Sequence, residues 1–352
     1  MAKHAAPEVV TTLSAETVAT RNLPVNFNQD HLALFKHELE RTIPQIRLLK
    51  FRDVRVSSDG LLFTGRTILP ESFAFPHHLQ QWKRRSILKF LLTNYFSRQL
   101  RRVDSEVLWI TDYWSREYFH FIADALSRLF VVRDRLDDLI LTLPSGYQDL
   151  DYVRSSLKAF AVKHVDFIKT DETLHCRNLL MPTHAAPSGH YNPRVIRGVR
   201  DVLLSAYGDS NKHSERVYIS RQSATKRRMV NEDEVVKILQ MFGFETVRAE
   251  ELSFEQQVQT FSRARYIVSN HGAGLTNMLF MKQGGSVLEL RHHLDHINNC
   301  YFTLSSALNL NYFYQLCEPS SANSNPHTVD LKVDPKALET NLDLLVGGNP
   351  RI

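Results

Sequence analysis

The sequence predicts an α/β protein with two Rossmann-like, doubly wound domains that face each other across a cleft. Short apolar runs alternate with helical segments from residue 107 to 181, and the alternation begins again at residue 217. Strands separated by helices of this length favour parallel sheets. A length of 352 residues suits two domains, because one domain typically takes about 100–200 residues.

The domain limits follow from the interruptions of this alternation. Residues 1–50 are weakly patterned and form a predicted N-terminal extension. A polar stretch after residue 207 has the composition of a linker. The first domain is therefore predicted at 51–207 and the second at 208–352. A final helical segment, Pro335–Leu345, is a candidate to pack back on the first domain.

Each element is predicted from its spacing of apolar residues or from its turn signals. In the first domain we expect a hairpin at Asp59–Gly60, helices at 86–101, 117–133 and 150–160, and strands at 107–110, 139–143, 165–168 and 178–181. In the second domain we expect strands at 217–219, 245–247, 266–269, 287–290 and 312–316, with helices at 232–242, 254–264, 275–281 and 297–308.

Composition excludes several classes of protein. Hydrophobic residues make up 43% and charged residues 23% of the chain, which excludes a disordered chain, a collagen-like fibre and a coiled coil. The net charge of +5 is too small to indicate nucleic acid binding by itself. Three cysteines without a CxxC pair favour neither a zinc site nor a disulfide framework. With no apolar leader segment, we predict a soluble, cytoplasmic protein.

A glycine-rich turn follows the predicted strand at 266–269. His271, Gly272, Ala273 and Gly274 stand between this strand and the next helix. Glycines let a ligand approach the backbone closely, and a helix N-terminus attracts anions. The ring of His271 is able to donate a hydrogen bond to a phosphate or a sugar oxygen. The turn is a candidate phosphate site, with an ordinary strand-to-helix turn as the alternative.

A basic loop follows the predicted strand at 217–219. It begins with Ser220 and Arg221 and contains Arg227 and Arg228. Open parallel sheets bind ligands at the carboxyl ends of their strands. Clustered cations repel one another unless an anion neutralises them, and the arginine fork suits phosphate. We therefore favour an anion site over a solvated basic loop.

Two polar residues interrupt an apolar helix in the first domain. His120 and Asp124 lie four residues apart in the predicted helix at 117–133 and so share one face, while their neighbours are apolar. Burying polar groups without hydrogen-bond partners among apolar side chains costs free energy. We therefore expect the two side chains to lie together at a cleft wall. The alternative is a satisfied core histidine that Asp124 orients.

The remaining acidic features have competing interpretations. Glu289 closes a buried strand, a position suited to ribose hydroxyls, or else it pairs with Arg291. Asp149 and Asp151 form a DxD pattern, but their place in the first turn of a helix predicts capping and not a metal site. The sequence has no GxGxxG after a first strand, no P-loop, no GxSxG and no HExxH, so dehydrogenase, NTPase, esterase and zincin functions lack support.

Together, these motifs resemble the family 61 glycosyltransferases. That group includes plant xylosyl- and arabinosyltransferases, secretory-pathway O-linked N-acetylglucosaminyltransferases, and bacterial capsule and exopolysaccharide proteins. Five motifs in order carry the resemblance, which covers about residues 51–320. They are Tyr118–Asp124 with Arg128–Leu129, Ile219–Arg221 with Arg227–Arg228 and Asn231–Glu232, Phe254–Gln256, His271–Met278, and Val287–Glu289.

The resemblance implies a GT-B fold and an inverting sugar transfer from a nucleoside diphosphate sugar, expected to be UDP-linked, with no obligatory metal and no other cofactor. For this reaction we predict Asp124 as the general base and His120 as its helper, and the reverse order stays open. Whether Arg227 or Arg228 takes the phosphate is also left open. The residues predicted to bind the nucleotide sugar are Ser220, Arg221, Arg227, Arg228, His271, Gly272, Ala273, Gly274, Leu275, Asn277 and Glu289.

The same resemblance suggests the setting of the reaction. We expect an oligosaccharide or lipid-linked glycan as acceptor, in bacterial capsule, lipopolysaccharide or exopolysaccharide synthesis. The expected place is the cytoplasmic face of the inner membrane, with peripheral membrane association left open and no nucleic acid partner. The alternative function is a catalytically silent binding module for anionic polysaccharide or nucleic acid, which would use the basic clusters at 83–85, 98–102 and 221–228.

Overall fold

A computed structural model describes residues 6–81, 84–208, 215–321 and 325–347. Two compact units divide the chain, one of residues 1–17 and 42–199 and the other of residues 18–41 and 200–352. The division differs from the predicted limits, because it falls inside helix Pro193–Tyr207 and assigns residues 18–41 to the second unit. Residues 209–214 of the predicted linker, and Lys83 of the first basic cluster, lie outside the described residues.

Eight strands form the sheet of the first unit, which is mixed and not purely parallel. Strand Glu172–Pro182 lies at its centre, antiparallel to Ile46–Ser57 on one side and parallel to Gln99–Leu108 on the other. The order across the sheet is Thr67–Ile68, Leu62–Thr64, Ile46–Ser57, Glu172–Pro182, Gln99–Leu108, Ile140–Pro144 and Val165–Ile168, with Glu8–Ser14 paired to Ile46–Ser57.

The three predicted helices of the first unit are present as helical segments, with differences in one of them, and further helical segments occur. The helix expected at 86–101 ends earlier, and Gln99–Leu108 is a strand because it pairs along most of its length with Glu172–Pro182. Helix Pro193–Tyr207 was not predicted. The helical segments are Pro70–Ser72, Pro76–Gln81, Arg84–Leu92, Thr93–Ser97, Tyr118–His120, Phe121–Ala125, Leu126–Phe130, Arg133–Asp138, Ser145–Tyr147, Asp151–Ala159 and Pro193–Tyr207.

Five consecutive parallel strands dominate the sheet of the second unit, as predicted. Numbered within this unit, their spatial order is 2-1-3-4-5, a doubly wound arrangement. A short sixth strand pairs antiparallel with the fifth. In spatial order the strands are Glu245–Val247, Arg216–Ile219, Tyr266–Asn270, Ser286–His292, Asn311–Pro319 and Leu331–Lys332.

The segment from residue 18 to 41 is part of the core of the second unit. Phe35 is buried against Phe302, Tyr312 and Tyr314. The segment contains the short helical turns Gln29–His31, Leu32–Phe35 and Lys36–Glu38, and the paired strands Thr17–Thr20 and Glu40–Ile43 lie at its two ends. The extension predicted at 1–50 is therefore not a separate arm.

The tail helix also completes the second unit. It spans Pro335–Leu345 as predicted, but its buried residues Leu338, Leu342 and Leu345 lie in the same apolar core as Val235 and Phe313. The expectation that it packs back on the first domain is wrong, since this stripe of leucines is used within the second unit. The other helices are Glu232–Met241, Ala249–Glu251, Phe254–Arg263, Ala273–Phe280 and Cys300–Ala307.

The α/β prediction is confirmed at the level of class. Cys176, Cys300 and Cys317 are buried free thiols. Across the described ranges, every helix is too short or too polar to cross a lipid bilayer.

Candidate functional site

The strand order of the second unit creates a switch point between its first and third strands. Arg216–Ile219 and Tyr266–Asn270 are parallel neighbours, and the chain leaves them in opposite directions across the sheet. Ser220 and Arg221 follow the first strand, and His271 follows the other. Ligands of doubly wound sheets bind outside the carboxyl ends of strands at such a point. The two predicted phosphate motifs therefore lie side by side.

Two neighbouring arginines, Arg221 and Arg227, lie at this switch point. Arg221 donates from Nη2 to the carbonyl oxygen of Lys226 at 3.1 Å. The buried Nε atoms of Arg221 and Arg227 have no hydrogen-bond partner among the residues that the structure describes. Burial and the charge of Arg227 both lower the pKa of Arg221. Two neighbouring cations repel each other, and a bound diphosphate would neutralise both and stabilise their arrangement.

The glycines of the turn are explained by close contacts. A Cβ atom at Gly272 would overlap the Arg221 guanidinium, and one at Gly274 would lie 3.0 Å from Cγ2 of Ile219. Gly272 leads directly into a 3₁₀ helix, Ala273–Phe280. An α-helix was expected here, at 275–281. The glycines thus allow the turn to pack against the arginine and the strand end.

His271 is held by a buried hydrogen-bonded network. Its Nδ1 contacts the carboxylate of Glu289, and Tyr312 donates its hydroxyl to the other carboxylate oxygen. The side-chain amide of Asn298 lies 2.9 Å from the other ring nitrogen, Nε2. An amide N–H can only donate, so in this arrangement Nε2 accepts and Nδ1 carries the proton. Because Nε2 carries no proton in this tautomer, His271 can donate to a phosphate only after Asn298 leaves and Nε2 itself is protonated.

Glu289 is fully buried behind His271. Burial alone would raise the pKa of Glu289, but His271, Arg291 and Tyr312 bring it below its ordinary value. The carboxylate is therefore ionised and orients the His271 ring. Its predicted contact with ribose hydroxyls stays a prediction, and the contacts of the structure favour a positioning role.

Several other predicted ligands have side chains engaged in the fold. Ser220 is buried and donates to Glu232 at 2.7 Å, and Asn277 is buried and donates to Gln257 at 3.0 Å. Leu275 is also fully buried. Arg228 contacts Asp330 through its backbone N–H at 2.8 Å and its guanidinium at 3.1 Å. The structure thus groups Arg221 and Arg227 with the His271–Gly274 turn, and it gives Arg228 a different partner.

The predicted contact between His120 and Asp124 in the first unit is formed. His120 Nδ1 lies 2.9 Å from Asp124 Oδ2, and Ser188 donates to the same oxygen at 2.7 Å. Asp124 is 6% exposed and belongs to a π-helical turn, Phe121–Ala125, which interrupts the surrounding helix. Such turns are frequent at functional sites. A small pocket beside Asp124 is lined by Ala123, Asp124, Ser127, Ala185, Ala186, His190, Tyr191, Asn192 and Ile196.

A second acid–histidine pair was missed from the sequence. His184 lies 2.8 Å from the carboxylate of Asp112, and the fully buried Arg128 donates to the carbonyl oxygens of Pro182 and Thr111. Asp112 and His184 follow two strands that are parallel neighbours. Their positions after predicted strands were the available signal, but the pairing of those strands was not known.

The ionisation of this pair follows from its surroundings. Burial alone would raise the pKa of Asp112, but His184 and Arg128 outweigh burial and lower it to about 2. Burial lowers the pKa of Arg128 to about 10, although Asp112 and Asp124 oppose this shift. The buried arginine thus remains a cation at neutral pH between two carboxylates, and it contributes positive charge behind Asp124.

The DxD pattern, which was predicted to cap a helix and not to bind a metal, lies at the start of helix Asp151–Ala159. Asp149 is exposed, and Asp151 is about half exposed and pairs with Arg154 at 3.6 Å in the first turn of its helix. Within the described part of the chain, no group of three histidine, cysteine, aspartate or glutamate side chains has the geometry to hold a metal ion.

Comparison with known proteins adds independent findings. Residues 118–288 match the family model described as Glycosyltransferase 61. The chain is 24% identical over 197 residues, 49% of its length, to the alpha-1,3-arabinosyltransferase XAT3 of Oryza sativa subsp. japonica. It is 31% identical over 102 residues, 28% of its length, to the EGF domain-specific O-linked N-acetylglucosamine transferase of Mus musculus. The alignments cover 34% and 19% of these relatives, so the chain spans about a third or less of their lengths.

Proposed function

We propose that the protein transfers a sugar from a nucleoside diphosphate sugar to a glycan hydroxyl, on the premise that residues 118–288 match the glycosyltransferase 61 family model. The proposed donor is UDP-linked, the transfer inverts the anomeric carbon, and the fold is of the GT-B type. The observation that supports the proposal most is the pair of Arg221, which packs against Gly272, and Arg227, whose charge acts on Arg221, at the switch point of the second sheet.

The donor site is proposed to stabilise a departing diphosphate. When the bond between the anomeric carbon and the diphosphate oxygen breaks, negative charge develops on that oxygen. Preorganised cations and helix N-terminal N–H groups stabilise such charge without a metal ion. Arg221, Arg227 and the first residues of Ala273–Phe280 supply these groups. His271 adds a donor once Asn298 turns away from Nε2 and that nitrogen is protonated.

The base is proposed to be Asp124. Inversion requires one displacement, in which the acceptor oxygen attacks the anomeric carbon, the diphosphate leaves, and the acceptor proton passes to a base. Among the described residues, His120 and Ser188 both contact Oδ2 of Asp124, and Oδ1 is proposed to receive that proton. The reaction requires this site and the donor site to engage the same pair of substrates.

The acceptor class is proposed from the relatives. One relative is named for arabinose transfer and the other for transfer of N-acetylglucosamine to EGF domains. What these reactions share is attack by a hydroxyl, and we propose an oligosaccharide or lipid-linked glycan as its source here.

Nucleotide binding tests the proposal directly. We expect UDP to raise the melting temperature of the protein more than GDP, CMP or TDP does, because a ligand that binds only the folded state stabilises it by mass action. At a ligand concentration of 100 Kd the stabilisation is about 2.7 kcal/mol. A thermal-shift series measures it. If none of the four nucleotides shifts the transition, the switch point is not a donor site.

Metal independence is a separate expectation. Transfer from a UDP-sugar should continue in EDTA, because the arginines and not a metal neutralise the diphosphate. Asp151→Asn should leave the turnover unchanged, since Asp151 is half exposed in a first helical turn and pairs with Arg154. Release of UDP measures both effects. Activity that disappears in EDTA and returns with Mn²⁺ would contradict this mechanism.

A further inference from the structure

A stripe of large apolar side chains is exposed in the first unit. Leu88 is 57% exposed, Leu92 is 50% exposed and Phe96 is 82% exposed. The three follow one another at intervals of four residues along Arg84–Leu92 and the π-helical turn Thr93–Ser97. This spacing places side chains on one face of a helix. We call these three residues the Leu88 stripe.

A neighbouring face of the same helix is anchored in the core. Ile87, Phe90, Leu91 and Tyr95 pack against an apolar cluster that includes Leu61, Phe63, Ile68 and Phe73. The packing fixes the helix on the unit without using the Leu88 stripe. The helix is thus apolar on two faces, and only one of them is satisfied by the fold of its unit.

The charged residues that surround the stripe in the sequence are all basic. From residue 72 to 103 the sequence contains no aspartate or glutamate. Arg85 and Lys89 are exposed or partly exposed and lie one turn or less from Leu88. Two other cations of this stretch are neutralised within the unit, Arg98 by Asp59 and Arg101 by Asp166 and Glu172. The lysines and arginines of the stretch are Lys83, Arg84, Arg85, Lys89, Arg98, Arg101 and Arg102.

We propose that this helix docks on the surface of an anionic lipid bilayer, with the Leu88 stripe inserted at the boundary of headgroups and acyl chains and with Arg85 and Lys89 on the headgroup phosphates. A helix that combines large apolar side chains with flanking cations binds such an interface by apolar burial and electrostatic attraction together. A soluble polyanion would use the cations but leave the stripe in water. The inference goes beyond sugar transfer and does not depend on it.

Vesicle sedimentation tests the proposal. We expect the full-length protein to sediment with vesicles of phosphatidylcholine and phosphatidylglycerol in equal parts, and not with phosphatidylcholine alone. Binding should decrease with salt, because exposed charges are screened. The triple change Leu88→Ser, Leu92→Ser and Phe96→Ser should weaken binding at least tenfold, since each buried apolar side chain contributes on that scale. Arg85→Glu with Lys89→Glu should also weaken it.

The controls separate this surface from the fold and from the donor site. Leu344→Ser changes an equally exposed leucine in the second unit, and should leave vesicle binding unchanged. The triple variant and the variant with Arg85→Glu and Lys89→Glu should both keep the UDP-induced thermal shift of the unchanged protein. The proposal is overturned if the triple variant binds vesicles as the unchanged protein does, if the unchanged protein does not bind anionic vesicles, or if it binds a DNA duplex in their place.

Discussion

Replacing Asp124 with asparagine is expected to lower the turnover number of sugar transfer by about a hundred- to ten-thousand-fold, the usual contribution of general-base catalysis. The amide is nearly isosteric with the carboxylate and retains an oxygen for Ser188 and His120 to contact. It cannot accept the acceptor proton. UDP release from saturating UDP-sugar and acceptor measures the effect.

Two comparisons make this result specific. Asp134→Asn makes the same chemical change at a carboxylate that is 87% exposed, and we expect it to retain full turnover. UDP affinity of the Asp124→Asn protein should be unchanged, because the donor residues lie in the other unit. Near-normal turnover of the Asp124→Asn protein would show that the carboxylate is structural. In that event His120→Gln tests the reverse assignment.

Replacing Arg221 with alanine is expected to weaken UDP binding by at least tenfold. A hydrogen bond to a charged group contributes about 1.5–3 kcal/mol, and about 1.4 kcal/mol corresponds to a factor of ten in affinity. Arg221 is partly desolvated beside Gly272, and its Nε has no partner among the described residues. We therefore expect its interaction with a diphosphate to be strong. Isothermal titration calorimetry with UDP gives the affinity.

Arg228 offers the matched control in the same loop. It is already paired with Asp330, so Arg228→Ala should change UDP affinity far less than Arg221→Ala or Arg227→Ala does. The sequence left open which of the two adjacent arginines takes the phosphate, and this comparison decides between them. Unchanged affinity in Arg221→Ala, or a larger loss in Arg228→Ala, would contradict the assignment.

Local patterns made much of the second unit predictable. Strand Glu245–Val247 and helix Pro335–Leu345 were predicted with the bounds that the structure has.

In the first unit, His120 and Asp124 were expected to touch because four residues are about one helical turn, and they do. Helix Pro193–Tyr207 begins with proline and has buried Val195, Val199 and Leu203 at helical spacing. The sequence of this helix therefore contains the features that indicate a helix.

The remaining features depend on contacts between distant residues. Gln99–Leu108 is a strand because Glu172–Pro182 lies beside it, and nothing within residues 98–102 indicates this. Asp112 and His184 are 72 residues apart and meet only because their strands are neighbours. The packing of Phe35 on Tyr314 is equally invisible in a local pattern. For a carboxylate such as Glu289, the sequence allows two interpretations, a contact with ribose hydroxyls or a pair with Arg291, until its partners in the structure are known.

The position of residues 18–41 has a consequence for synthesis on the ribosome. This segment is synthesised well before its partners, because Asn26 bonds to Tyr314, which lies 288 residues further along the chain. At about 5–20 residues per second, the wait is roughly 15–60 s. During that time Phe35 and Leu34 have no core to join. The second unit therefore cannot complete its folding until Tyr314 has been synthesised, and a chain without residues 18–41 would lack part of that core.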